Sequence, residues 1–185
     1  MADIQYNFIQ EWQFWVITCR FTDKTQYEIE PIIKVRSKSK FAEYLASLPD
    51  VLHLQPKQNS KISLAFFSDN IQPAWEDKAN TEGGCMYFTL QDKLKERAQD
   101  LWEYLLAAAV SGELNNWLIN DVKGNEICGV IVSPKVYNAY SFEIWTRSNN
   151  QNNQRFQAKL QEELKKLLNL ESDLKIQWLS HRRKK

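Results

Sequence analysis

The chain of 185 residues has almost no excess charge, only three cysteines and two histidines, and no long apolar run. Its 24 basic and 23 acidic residues leave a formal net charge of +1. The molecule as a whole therefore lacks the strong positive charge of a typical nucleic-acid binder, and any basic surface must be local. The clearest local excess follows His181 at the C-terminus, in the sequence Arg182-Arg183-Lys184-Lys185.

The cysteine count and the amino end argue against a secreted, disulfide-stapled protein. Cys19, Cys85 and Cys128 are odd in number and lack metal-ligand spacing, which is not the pattern of a disulfide framework. Residues 1–10 do not show the basic-then-apolar pattern of a secretory signal. No apolar run approaches the ~20 residues that span a membrane. We therefore expect a soluble protein of the cytoplasm, without a membrane partner.

The sequence also lacks the residue sets of common catalytic sites. It has no Ser/His/Asp arrangement, no metal-ligand cluster and no glycine-rich phosphate loop, and His53 stands alone in a polar stretch. The adjacent acids Glu76 and Asp77 are too common a pair to indicate acid–base chemistry. No RNA-recognition motif is present either, although aromatic residues are plentiful. We expect no enzymatic activity, no metal and no cofactor.

Composition and periodicity predict one α+β domain. With 43% hydrophobic residues the chain can bury a core, and we assign residues 11–181 to a single monomeric domain between a mobile arm, 1–10, and a basic tail, 182–185. The predicted strands are 11–21, 27–35, 62–67, 85–90, 127–132, 141–146 and 174–179, and the predicted helices are 37–48, 91–110 and 155–170. Helices are too few for a doubly wound sheet, so we expect a curved, mostly antiparallel sheet of about seven strands with three helices on one face.

One loop carries an unusual combination of residues. Its sequence is Ile71-Gln72-Pro73-Ala74-Trp75-Glu76-Asp77, followed by Asn80 and Gly83-Gly84. The face of an indole attracts a cationic ring by about 0.5–2 kcal/mol. The adjacent carboxylate of Glu76 can accept two parallel N–H bonds from a planar donor edge. The pair predicts a flat, positively charged ligand with neighbouring N–H donors, as in the Watson–Crick edge of 7-methylguanine.

Read with further motifs, this loop resembles the cap-binding translation initiation factor 4E family. The additional pieces are Trp12-x-x-Trp15, Phe67 before the loop, Cys128-Gly129 and Ile144-Trp145-Thr146, in the family's order. The resemblance implies a protein that binds the 7-methylguanosine cap of mRNA on the concave face of its sheet. It also implies that the three helices cover the convex face. That face would bind a scaffold such as factor 4G, or a repressor, in translation initiation.

The resemblance implies roles for several residues around the cap base. Trp75 supplies one stacking face and Glu76 the hydrogen bonds, while Trp145 contacts the N7-methyl group, unless it is simply a core residue. The family's second stacking tryptophan has no counterpart here. Tyr27 is the nearest aromatic residue, with Phe21 as the fallback, and the alternative is that Tyr27 is an ordinary strand tyrosine.

The phosphate side departs from the family pattern. Cys85 follows the paired glycines, where the family has a basic residue. Lys135 supplies a point charge to phosphate, without the bidentate fork of arginine. Arg182 and Arg183 either replace part of the missing charge or are simply solvated. Tyr137 and Tyr140 are expected to be exposed, and either stack on nucleotides after the cap or anchor their loop.

The helices of the convex face contain the candidate partner residues Phe41, Tyr44, Trp102 and Leu105. For Phe41 and Trp102, core burial is the alternative. Three other functions stay open at this point: a cap-binding repressor, a protein adaptor with weakened cap binding, and a general single-strand RNA binder. Competition between methylated and unmethylated guanosine triphosphate separates a cap reader from the last two.

Overall fold

The computed structural model describes residues 7–20, 27–54, 60–68, 70–118, 126–148 and 153–181. Its strands are β1 (Asn7–Arg20), β2 (Tyr27–Ser37), β3 (Ser60–Ser68), β4 (Gly84–Leu90), β5 (Ile127–Lys135), β6 (Ala139–Thr146) and β7 (Gln177–Ser180). They form one seven-stranded sheet in the order β2-β1-β3-β5-β6-β4-β7. Every neighbouring pair is antiparallel. The predicted fold class, an antiparallel sheet with helices, is confirmed.

The described helices differ in number from the three that the sequence predicted. They are α1 (Lys38–Ser47), α2 (Ala98–Val110), α3 (Glu113–Leu118) and α4 (Asn153–Leu168), with 3-10 helices at Val51–His53 and Asp92–Arg97. The first turns of the predicted helix 91–110 are thus 3-10. Gly112, with a φ of +80°, separates α2 from α3. The six residues of α3 are too few for a periodic pattern to be recognised in the sequence.

Alternation along the strands divides the apolar side chains between two faces of the sheet. In β3, Leu64 and Phe66 belong to the large core under the helices, whereas Ala65 and Phe67 belong to a second cluster on the opposite face. The helix-side core also contains Trp102. The second cluster consists of Trp15, Ala65, Phe67, Ile71, Cys85, Cys128, Ile131 and Trp145. This opposite face is the one that underlies the tryptophan loop.

Two of the glycine motifs are explained by close packing. A Cβ at Gly129 would lie 2.3 Å from the ring of Phe67, and the pairing of β5 with β6 is irregular between Ile127 and Gly129. A Cβ at Gly83 would lie 1.8 Å from the carbonyl oxygen of Thr146. Any larger residue at either position would push apart elements that border the site.

Near the two ends of the chain, the strand boundaries differ from the predicted ones. Strand β1 begins at Asn7, within the segment 1–10 that we expected to be a mobile arm. Strand β7 is shorter than the predicted 174–179, because only Gln177–Ser180 pairs with β4. Phe21, Arg182 and Arg183 lie outside the described residues. Within the part of the chain that the structure describes, no helix is long and apolar enough to cross a membrane.

Candidate functional site

The loop between β3 and β4 is held in place by its own polar side chains. Asn80 is completely buried, and its Nδ2 donates hydrogen bonds of 2.8 Å to the carbonyl oxygens of both Gln72 and Ala74. The carboxylate of Asp77 accepts hydrogen bonds of 2.9 Å from the backbone N–H groups of Gln72 and Ala79. These four bonds fix the backbone on both sides of Trp75, so the indole projects from a rigid support.

Trp75 and Glu76 point outward from this loop. The indole of Trp75 is 51% exposed, although a side chain of this size is usually much more buried. Glu76, the next residue, is also exposed. A planar ligand can therefore cover the indole and reach the carboxylate without any change in the core. Both side chains are thus accessible from solvent at neighbouring positions of one loop.

Tyr27 reaches the same loop from the start of β2. Its hydroxyl donates a 2.5 Å hydrogen bond to Oε2 of Glu76, 49 residues away in the sequence. Burial, followed by this bond and the charge of Glu76, raises the pKa of Tyr27 to about 12, so the hydroxyl keeps its proton. An open groove of about 590 Å³ adjoins the pair and is also lined by Thr18, Arg20, Glu28, Ile29, Gln72 and Ala74. The structure thus brings Tyr27 to the predicted site.

Trp145 lies in the cluster under the loop. Its ring packs edge-on against Phe67 at 5.5 Å and lies 4.1 Å from the ring of His181, measured between centroids. Nδ1 of His181 is 2.9 Å from the carbonyl oxygen of Asn80, the residue that holds the tryptophan loop. Burial lowers the pKa of His181. Trp145 thus contacts His181, which in turn contacts the tryptophan loop, and its own side chain is almost fully buried. Its contact with a methyl group stays a prediction.

Glu143 is a site-facing residue that the sequence analysis missed. Its Oε2 accepts a 2.9 Å hydrogen bond from Nε1 of Trp145. The thiol of Cys85 donates to the same oxygen over 3.9 Å. Burial and the nearby carboxylate raise the pKa of Cys85 far above its usual range, so this thiol is neutral. The signal was available in the sequence, because Glu143 precedes Trp145 by two residues in a strand and must share its face.

The two tyrosines expected on the ligand side have different environments. Tyr137 is 95% exposed in the turn between β5 and β6, with a φ of +68°. The prediction that Tyr140 is exposed is wrong: it is 3% exposed, and its hydroxyl donates a 3.0 Å hydrogen bond to the carbonyl oxygen of Leu52. Its position in β6 has the same parity as Phe142, which directs both rings into the helix-side core. Tyr140 cannot stack on a nucleotide.

The predicted partner residues are also corrected in part. Trp102 and Leu105 are each only 1% exposed and pack in the core between α2 and the sheet, so the prediction that they contact a partner is wrong. The exposed side of α2 consists of Asp100, Glu103 and Ala107. Phe41 and Tyr44 in α1 are only partly buried. Helical spacing showed which residues share a face but not which face the sheet covers.

Lys135, the predicted phosphate contact, ends β5 on the face opposite the helices. Its Nζ lies 5.4 Å from the centroid of the Tyr87 ring, a cation–π distance. It is partly exposed and therefore accessible to an anion. Lys61, at the start of β3, was not predicted as a site residue and lies near Lys135.

The fold and the loop define a class of protein: a sheet-based binding module with an exposed indole and carboxylate beside an open groove. The sequence model of the eukaryotic initiation factor 4E family matches residues 7–185 of this chain. The chain belongs to this family, as the sequence motifs predicted.

Relatives and solved structures agree with this assignment. The chain is 27% identical to eukaryotic translation initiation factor 4E of Candida albicans over 155 residues, which are 83% of this chain and 68% of that protein. It spans 64% of the length of factor 4E of Saccharomyces cerevisiae and 51% of the length of factor 4E-1 of Schizosaccharomyces pombe. The complex of C. elegans eIF4E-3 with the 4E-binding protein Mextli and a cap analog superposes with a TM-score of 0.74 at 18% identity, covering 96% of this chain and 93% of that one. Ascaris suum eIF4E-3 with the m2,2,7G cap gives 0.74 at 19% identity, covering 98% and 94%.

Proposed function

We propose that this protein binds the 7-methylguanosine cap of mRNA and acts in translation initiation, as a binding protein without catalytic activity in the cytoplasm. The observation that carries the proposal is the half-exposed indole of Trp75 beside the exposed carboxylate of Glu76, on a loop fixed by buried Asn80. A half-exposed indole face on a fixed loop, next to a carboxylate, suits a cationic base with N–H donors on its edge.

The remaining site residues have supporting roles in this proposal. Tyr27 provides the second aromatic face, and Trp145 contacts the methyl group at the base of the site. Lys135 binds the phosphates, together with Arg182 and Arg183 of the basic tail. The fully exposed ring of Tyr137 stacks on the nucleotide after the cap, an interaction worth about 1–3 kcal/mol per base.

The helix-covered face binds a protein partner in this proposal. Phe41 and Tyr44 keep part of their rings accessible on α1, and such half-buried aromatic residues are typical anchors of protein interfaces. The partner is a 4G-like scaffold or a 4E-binding repressor. A related protein, C. elegans eIF4E-3, has been solved with the 4E-binding protein Mextli.

One observation favours a second candidate function, a protein adaptor with weakened cap binding. The Tyr27 hydroxyl donates a hydrogen bond to Oε2 of Glu76, the group that the base requires. A cap must share or displace this bond. An adaptor of this kind would bind its protein partner normally while showing little preference for methylated guanosine.

Calorimetric titration with 7-methylguanosine triphosphate and guanosine triphosphate tests the proposal. The cation–π contribution of about 0.5–2 kcal/mol predicts a preference of about 2- to 30-fold for the methylated form. Glu76→Gln removes the charge from an exposed acceptor, and we expect about tenfold weaker binding. Glu82→Gln, an exposed acid of the same loop, serves as the matched control and should bind as the wild type does. Equal affinity for both nucleotides, together with an unchanged Glu76→Gln variant, would overturn the proposal.

A further inference from the structure

Two lysines face each other on neighbouring strands of the sheet face that carries the site. Strands β3 and β5 pair with Leu64 opposite Val132, and the hydroxyls of Ser63 and Ser133 lie 2.7 Å apart. Continuing this antiparallel register by two residues places Lys61 opposite Lys135. Both lysines have the parity of the serine pair, so both project from the face opposite the helices.

The two positive charges repel each other in this arrangement. Like charges directly opposite each other on a sheet are destabilising. Lys61 is partly buried, and burial, followed by the charge of Lys135, lowers its pKa. Neither lysine forms an ion pair with any residue that the structure describes. The carboxylate of Glu143, which acts to raise the pKa of Lys61, already accepts hydrogen bonds from Trp145 and Cys85.

The surroundings restrict what the two ammonium groups can bind. Lys135 lies over the ring of Tyr87, so this ring covers one side of its ammonium group. The site lies on the same sheet face as the cluster beneath Trp75. An anion that binds both lysines would offset their repulsion. A chain of phosphates has several negatively charged oxygens that can bind two ammonium groups.

We propose that Lys61 is a phosphate-binding residue, which together with Lys135 forms a two-lysine site for the phosphate chain of the capped nucleotide. The assignment of the nucleotide rests on the proposed function, but anion binding by the pair does not. The alignment of β3 and β5 brings the two lysines near each other on one face of the sheet.

The test compares Lys61→Met with Lys61→Arg and with a control, Lys166→Met, an exposed lysine of α4. Each variant is titrated with 7-methylguanosine and with its triphosphate at two salt concentrations. We expect Lys61→Met to bind the nucleoside as the wild type does. In the wild type the triphosphate should bind more tightly than the nucleoside. In Lys61→Met we expect this gain in affinity to be about tenfold smaller, which corresponds to about 1.4 kcal/mol, and to depend less on salt. Lys61→Arg and Lys166→Met should keep this gain.

A second measurement does not depend on the base. Inorganic tripolyphosphate should raise the thermal unfolding temperature of the wild type but not of Lys61→Met, because it binds only the folded lysine pair. Without anion, Lys61→Met should be at least as stable as the wild type, since the repulsion is gone. A full triphosphate gain in Lys61→Met, or equal stabilisation by tripolyphosphate, would overturn the inference. Stabilisation that depends on Lys61, without any preference for methylated base, would support it while refuting cap binding.

Discussion

Replacing Tyr27 by phenylalanine separates the hydroxyl of this side chain from its ring. The hydroxyl donates a 2.5 Å hydrogen bond to Glu76, and a pKa of about 12 keeps it protonated throughout the neutral range. A base with two parallel N–H donors requires the same carboxylate. The hydroxyl and the base therefore compete for one acceptor, and Tyr27→Phe removes the competitor while keeping the aromatic face.

The exposure of the pair sets the size of this effect. A hydrogen bond to a charged group contributes about 1.5–3 kcal/mol, but water replaces part of it at an exposed site such as Glu76, so we take about 1 kcal/mol. This predicts about fivefold tighter cap binding by Tyr27→Phe. Tyr27→Ala also removes the ring, which is worth about 1–3 kcal/mol as a stacking face. The alanine variant should therefore bind about 5- to 150-fold more weakly than the phenylalanine variant.

Calorimetric titration with 7-methylguanosine triphosphate measures all three affinities, and thermal unfolding checks that the variants are folded. If Tyr27→Phe binds more weakly than the wild type, the hydroxyl holds the carboxylate in place for the base, and the competition argument is refuted. Equal affinities of the two variants would remove the ring of Tyr27 from the site.

Two further predictions concern the support of the site and the corrected partner face. Asn80→Ala leaves two carbonyl oxygens without their donor. It should lower the free energy of unfolding, measured by denaturant titration, by about 2 kcal/mol and weaken cap binding. A change in this free energy below about 0.5 kcal/mol would contradict the role of Asn80. Trp102→Ala should cost about 3–5 kcal/mol of stability because the indole is in the core. Tyr44→Ala should instead weaken binding of a 4E-binding peptide at little cost in stability, and a stable Trp102→Ala variant that has lost peptide binding would reverse this assignment.

Most of the strands could be predicted because their signal is local. Alternation and β-branched residues located β2 and β6 within a few residues. The paired glycines at the start of β4 marked a real close approach of the backbone to neighbouring residues. The tryptophan loop was recognisable for the same reason, since proline, asparagine and glycine surround an indole and an acid within a short stretch. Short elements such as α3 carry too few residues for a periodic pattern, and they were missed.

The sequence by itself determined the class of fold and the family, and it singled out Trp75 and Glu76 as the predicted binding pair, because these depend on residue types at short spacing. Only the tertiary structure decided which aromatic rings are buried. The sequence around Trp102 and Tyr140 does not distinguish a buried ring from an exposed one. The tertiary structure also brought Tyr27 to Glu76 and Lys61 to Lys135. Such pairs depend on how whole strands align, and that register is set by the packing of both sheet faces together.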